Sequence, residues 1–292
     1  MPKEKIFIFL KTLGVSAAAV LLVIFPRESS AAACDALSLC LTRLIPSMFP
    51  FFVLSPMLRL PERPFRFLTE KVFKVNGGCA SAYLIGLLGG YPVGAAAAAE
   101  LYSGGGCSRD EAERLLAFCC CASPSFAFGF LSADVLQSVP HTVLLYAVHL
   151  FASALTGFLF GVGHVPSAAV SHAAPAISGF TSCVKKAVVS MASVCAFVIF
   201  TSVYIRLLPL RSPLAAGLFE ITTGLSMFSG ASPVSLCSAA FLLGWGGISV
   251  HCQVMSFTSQ SGLSAKRYFL ARASSGLLGA LIMLIICKIM WK

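Results

Sequence analysis

The chain has 292 residues, 58% of them hydrophobic and only 11% charged, with a formal net charge of +10 and a mean hydropathy of +0.89. Soluble domains carry about 25% charged residues, so this composition excludes a water-soluble globular protein and points to an all-α, polytopic membrane helix bundle. The basic residues gather in short connections between apolar runs, the pattern of positive-inside sorting, and no RNP-like or zinc-finger pattern suggests nucleic acid as a partner.

The first apolar run, 6–25, follows Lys3 and Lys5 and has Lys11 near its start. Ala31-Ala32-Ala33-Cys34 resembles a cleavage or lipid-attachment site, but the spans that follow favour an uncleaved first helix with a cytoplasmic N-terminus. The next segment, 34–60, holds Pro46, Pro50 and Pro56, which argue against one straight helix. Asp35 and Arg43 on it read as membrane-edge charges. The connection 59–74 carries Arg59, Arg63, Arg66, Lys71 and Lys74 against Glu62 and Glu70, and is read as a cytoplasmic loop able to lie on anionic lipid.

Residues 77–129 organise the rest. An apolar half-helix is broken at Pro92, between Gly90 and Gly94. A freed backbone group in hydrocarbon needs a partner, so such a break is packed in protein or lines a cavity. Ala82, Gly86, Gly90, Gly94 and Ala98 recur every fourth position and thin one helix face for close packing. Glu100 and a glycine turn at 104–106 follow. Ser108 and Glu111 then form a capping box for a helix carrying Arg114, and that helix enters a second break at Ser123-Pro124-Ser125. The pattern predicts a re-entrant or discontinuous pair.

A short polar break is expected at 131–140, then an uncharged span from Thr142 to Gly163 with a small-residue ladder and a structural His149. The Ala-, Pro- and Ser-rich stretch 165–182 reads as a linker between halves. A span over 184–208 has two charges at each end and so no preferred orientation. Ser212-Pro213 starts a helix containing Glu220, whose position among apolar residues marks it as a functional-site candidate. Ser232-Pro233 opens a segment interrupted at Gly246-Gly247 and carrying Gln253. Ser264 is expected to cap the last helix, which holds Arg272.

Two blocks share a plan. Gly86 to Gly90 precedes Ser108 and Arg114, and Leu242 to Gly247 precedes Ser264 and Arg272. Weakly similar halves with interrupted segments point to a transporter site at their interface. The expected division is a first helix at 1–30, a first repeat at 34–133, connecting helices at 134–211 and a second repeat at 212–292.

Of the twelve cysteines, none stands in a C-x-x-C pair. Most lie in apolar runs, where free Cys behaves as a small hydrophobe, and neighbours such as Cys119 and Cys120 point about 100° apart on a helix. No cofactor or metal is implied. Nor is an enzyme, since H-E-x-x-H and G-x-S-x-G are missing.

Several stretches in order, namely Leu44 to Phe52, Gly89 to Ala95, Glu113 to Phe118 leading to Ser123-Pro124-Ser125-Phe126, Glu220 to Gly224, Gly246 to Gln253, and Arg272, make the chain resemble the nucleoside-recognition or Gate-domain membrane proteins. More closely it resembles the YlbJ-type sporulation integral membrane proteins. The resemblance covers roughly 41–279. It implies two Gate-like repeats with broken or re-entrant helices, related to the core of concentrative nucleoside transporters, in a bacterial cell or forespore membrane. It also implies passage of a small polar or anionic solute, with dipicolinate or a nucleoside-like compound as candidates. Members often carry amides where this chain has Cys119 to Ala122 and Thr223, and losing them removes two-sided hydrogen bonding.

The resulting expectation is a permease in a lipid bilayer. Pro92, Gly94, Ser123, Pro124, Ser125, Thr222, Thr223, Gly246, Gly247 and Gln253 would bind solute. Glu220 and Glu100 would couple an ion, and Arg114 and Arg272 would serve as charge partners. A homo-oligomer is left open, and the competing reading is a non-transporting scaffold or assembly factor.

Overall fold

Each apolar run becomes a helix, and the glycine and proline interruptions decide whether the chain runs on or turns back. The computed structural model describes residues 3–57, 62–167 and 179–291. Among these, five helical stretches are long and apolar enough to cross a membrane, namely Pro26–Met57, Val139–Gly161, Phe180–Leu207, Pro233–Ser261 and Lys266–Met290. The protein is an integral, multi-pass helical bundle, as composition requires.

Helix α1 (Lys3–Ile24) leads into α2 (Pro26–Leu39), a π-helical turn (Cys40–Leu44) and α3 (Ile45–Leu54). The prolines do not end this helix. The extra residue of the π-turn precedes Pro46, and such single turns accommodate a locally disturbed hydrogen-bond ladder. The expected cleavage-like sequence lies within α2, with Cys34 exposed. The basic connection contains α4 (Glu62–Phe67) and a π-turn (Leu68–Val72), while Arg59 lies outside the described residues.

The 77–129 stretch does not span in one piece. Helix α5 (Cys79–Gly89) and helix α6 (Tyr91–Ser103) fold back on each other at Gly90, whose φ of +89° is open to glycine. A Cβ on Gly86 would sit 3.1 Å from the Gly94 Cα, and one on Gly94 3.0 Å from the Gly86 Cα. In one continuous helix those residues would be about 12 Å apart. The small-residue ladder is therefore two facing surfaces of a re-entrant hairpin. Helix α7 (Arg109–Cys119) starts on the full capping box of Ser108 and Glu111. After an extended break it continues as a π-helix (Phe126–Leu136), so the expected polar interruption shrinks to Gln137 and Ser138.

Helix α8 (Val139–Gly161) returns, and α9 (Phe180–Leu207) crosses next. Of the expected linker, 168–178 lie outside the described residues. A second, shorter hairpin follows, α10 (Pro213–Phe219) and α11 (Ile221–Ser226), reversing at Glu220. Its legs touch where a Cβ on Gly224 would meet Gly217 and, at 2.7 Å, the Pro213 carbonyl. Helices α12 (Pro233–Trp245) and α13 (Gly247–Ser261) run through a break at Gly246, and α14 (Lys266–Met290) lies antiparallel to α12. Gly244 and Gly276 bring the α12 and α14 backbones together, with no room for a Cβ on Gly244. Ala265 is the residue flanking α14, but Ser264 Oγ accepts the Lys266 N–H at 3.4 Å at the helix start, and the Ser264 N–H donates to Glu113 at 2.9 Å.

Long-range contacts sort the ends of the helices. At one end Arg267 pairs with Asp110, Arg109 donates to the Gly262 carbonyl, Lys186 meets Glu100, and Arg114 donates to the Lys74 carbonyl. The first hairpin opens toward this end. At the other, Arg206 pairs with Asp35 and His141 lies against Trp291, and the second hairpin opens there. The hairpins therefore enter from opposite ends and meet tip to tip. The hairpin counterpart of Gly90 is Glu220, whereas the repeat read from the sequence pairs the block Gly86 to Gly90 with Leu242 to Gly247, whose break lies in a helix that runs through.

Candidate functional site

Three interruptions of the helices converge at the centre against helix α13. Gly90, Tyr91 and Pro92 come from the first hairpin tip, Ser123 and Phe126 from the break after α7, Glu220, Ile221 and Thr222 from the second tip, and Val250 and Gln253 from α13. Leu44, Met48, Val194 and Val198 close the space between them. The cavity is ≈ 30 Å³, room for roughly two waters. Its polar side chains are few, Tyr91, Ser123, Glu220, Thr222 and Gln253, in a wall that is otherwise apolar.

The tips are held by identifiable bonds. Glu220 has extended backbone, φ −144° and ψ 114°, and its carboxylate caps α11 by accepting the Thr222 N–H at 3.0 Å and the Thr223 N–H at 2.5 Å. Those amides begin a helix and have no partner within it. Tyr91 donates from its hydroxyl to the Leu243 carbonyl at 2.7 Å, and Trp245 donates to the Leu218 carbonyl at 3.2 Å. The α12–α13 break is the seat for both tips. A Cβ on Gly246 would lie 3.8 Å from the Tyr91 ring, and one on Gly247 3.1 Å from the Gly217 carbonyl. The φ values of +92° and +83° there favour glycine.

The break at Cys119 to Ser123 shows how the bundle satisfies unwound backbone. The Ala122 N–H donates to His149 Nε2 at 3.0 Å, and the Ala122 carbonyl accepts from the Tyr146 hydroxyl at 3.3 Å. The Cys120 carbonyl accepts from Arg272 Nη1. Ser123 Oγ accepts the Phe126 N–H at 3.2 Å and pairs with Ser125 Oγ at 2.8 Å. In hydrocarbon each of these groups would otherwise cost several kcal/mol. His149 is thus structural in the way its sequence context implied, with its Nε2 lone pair committed to Ala122.

Of the residues singled out from sequence, Pro92, Ser123, Glu220, Thr222 and Gln253 line the cavity. Gln253 also donates to Ser249 Oγ at 3.3 Å. Ser125, Gly246 and Gly247 form the layer behind it. Gly94 packs against the Cys119 carbonyl, and Pro124 is half-buried outside the lining. Thr223 faces the other way, pairing with Ser202 Oγ at 3.0 Å. Glu100 is not brought in; it is exposed and bound to Lys186 at 2.8 Å.

Neither arginine neutralises Glu220. Arg114 is buried and pairs with Asp110 at 2.9 Å and with the Lys74 carbonyl at 2.7 Å. Arg272 is 0% exposed, and its Nε and Nη2 have no hydrogen-bond partner. Tyr91 is the lining residue that sequence reasoning passed over, although it stands inside the Gly90-Tyr91-Pro92 break.

The protein shares 27% identity with the sporulation integral membrane protein YlbJ of Bacillus subtilis (strain 168), across 90% of this chain and 78% of that protein. The likeness supports the resemblance to YlbJ-type membrane proteins read from the sequence. No family model and no solved structure matches this chain.

Proposed function

We propose that this protein is a permease for a small polar or anionic solute, with its central site between the two hairpin tips. The observation that carries this reading is the convergence of three chain breaks on one central cavity. Bilayer-depth backbone is left unwound where it serves a ligand or ion path, and opposed hairpins give such a site an approach from each side. Glu220 links ion and conformation. Protonating it makes one oxygen a hydroxyl, a poorer acceptor than a carboxylate oxygen, so one of the two N–H bonds that fix the α11 start is weakened.

The relative's printed name and the resemblance to its family suggest a sporulation-linked role in a cell or forespore membrane, with dipicolinate as the first solute to test. The end bearing Lys74, Arg109, Lys186 and Arg267 is taken as cytoplasmic by the positive-inside rule, and the N-terminus lies with it. Uptake of dipicolinate and of a nucleoside into proteoliposomes, with and without a pH gradient, tests the reading. Uptake of neither would sink it. A non-transporting scaffold is favoured by one observation, the small size of the central cavity, and it predicts no stabilisation by solute at any concentration.

A further inference from the structure

A second and much larger concavity lies beside the second hairpin, separate from the central cavity. It measures ≈ 470 Å³, within the usual range for small-molecule sites of roughly 300–1,000 Å³. It is walled by α2, the end of α9 and α11, and its polar lining is Asp35, Arg206, Arg211, Ser202, Thr223 and Ser226. Arg206 binds Asp35 at 2.9 Å, with the two side chains 48% and 69% exposed. An exposed pair of this kind contributes little and exchanges readily for another anion. Arg211 makes no ion pair with a described residue. The concavity thus offers two guanidinium groups against one carboxylate, and guanidinium binds carboxylates in a two-pronged fashion.

Its inner wall is the outer face of the central site. Thr223 lines this concavity and Thr222 the central cavity, on one turn of α11 whose two N–H groups are held by Glu220. The Ser202–Thr223 hydroxyl pair, 3.0 Å, ties that turn to α9. We propose that this concavity is a vestibular binding site for a carboxylate-bearing solute, taken by Arg211 and Arg206 in competition with Asp35, with the Ser202–Thr223 pair as the latch before the central cavity. Its place on the transport path rests on the permease reading; the binding site itself does not.

Asp35 gives the site a distinctive signature, because removing the internal competitor must tighten binding. The probe is pyridine-2,6-dicarboxylate, titrated calorimetrically against the full-length protein in phosphatidylcholine nanodiscs. Asp35→Asn is expected to tighten binding about threefold or more, and Arg211→Ala to weaken it at least tenfold. No binding, no tightening in Asp35→Asn, or no loss in Arg211→Ala overturns the proposal. So does stabilisation by phosphatidylglycerol nanodiscs alone, which would assign the arginines to a lipid headgroup. Proteoliposome uptake separates the two readings. Binding with the Asp35 signature but no uptake removes the permease and keeps the vestibular site. Uptake unchanged in Arg206→Ala/Arg211→Ala takes the site off the transport path and so overturns its vestibular role, and it keeps the permease.

Discussion

The two hairpins solve the same problem differently. The first has long legs of 11 and 13 residues, packed glycine against glycine and both against the Cys119 carbonyl, with its tip tied by Tyr91 to Leu243. The second has legs of 7 and 6 residues, a tip held by its own carboxylate, and an open concavity along one side. Close backbone packing leaves no slack, since interiors at native density respond to displacement as a unit. A tip organised by one ionisable side chain beside open space can rearrange locally. On the permease reading, the first hairpin would be the fixed half of the site and the second the movable half.

The largest test of this contrast is steric. Gly94→Val should disrupt folding or cost at least about 3 kcal/mol, the upper end for overpacking, because its Cβ meets the Cys119 backbone oxygen. Size-exclusion profile and thermal midpoint in detergent check it. If the variant is as stable as the parent, the first hairpin is not the fixed half. Glu220→Gln should lower uptake at least tenfold and flatten its dependence on a pH gradient, while the fold survives. An unchanged pH profile removes the coupling role. Glu220→Ala should cost about 1–2 kcal/mol as a lost helix cap, read as a lower midpoint without loss of monodispersity. Tyr91→Phe should cost about 1 kcal/mol for one neutral hydrogen bond. Ser202→Ala should be smallest in stability and visible chiefly as faster uptake, since it opens the α9–α11 tie.

The interruptions were legible in the sequence because glycine and proline act locally. Pro92, Ser123-Pro124 and Gly246-Gly247 all fall at or beside breaks. The break at Glu220 has no such marker, and the sequence places that residue inside a helix. Whether a break reverses the chain was not legible, since a fold-back and a kink carry the same residues and differ only in what packs opposite. That is why the Gly86–Gly90 block was matched with Leu242–Gly247 and not with the Glu220 turn. The charged pairs were illegible for a related reason. Lys186 with Glu100, and Arg206 with Asp35, are separated by 86 and 171 positions, and only the assembled bundle brings them together. Glu100 looked like an intramembrane acid because the alanines before it are apolar, yet the helix carries it to the edge.

The seam between α12 and α14 contains main chain where most helix pairs have side chains. At Gly244 and Gly276 there is no rotamer to switch and no methyl to slide past. Any rocking that widens the route to the centre has to carry both helices as a single strut, with the hinge falling at Gly246-Gly247.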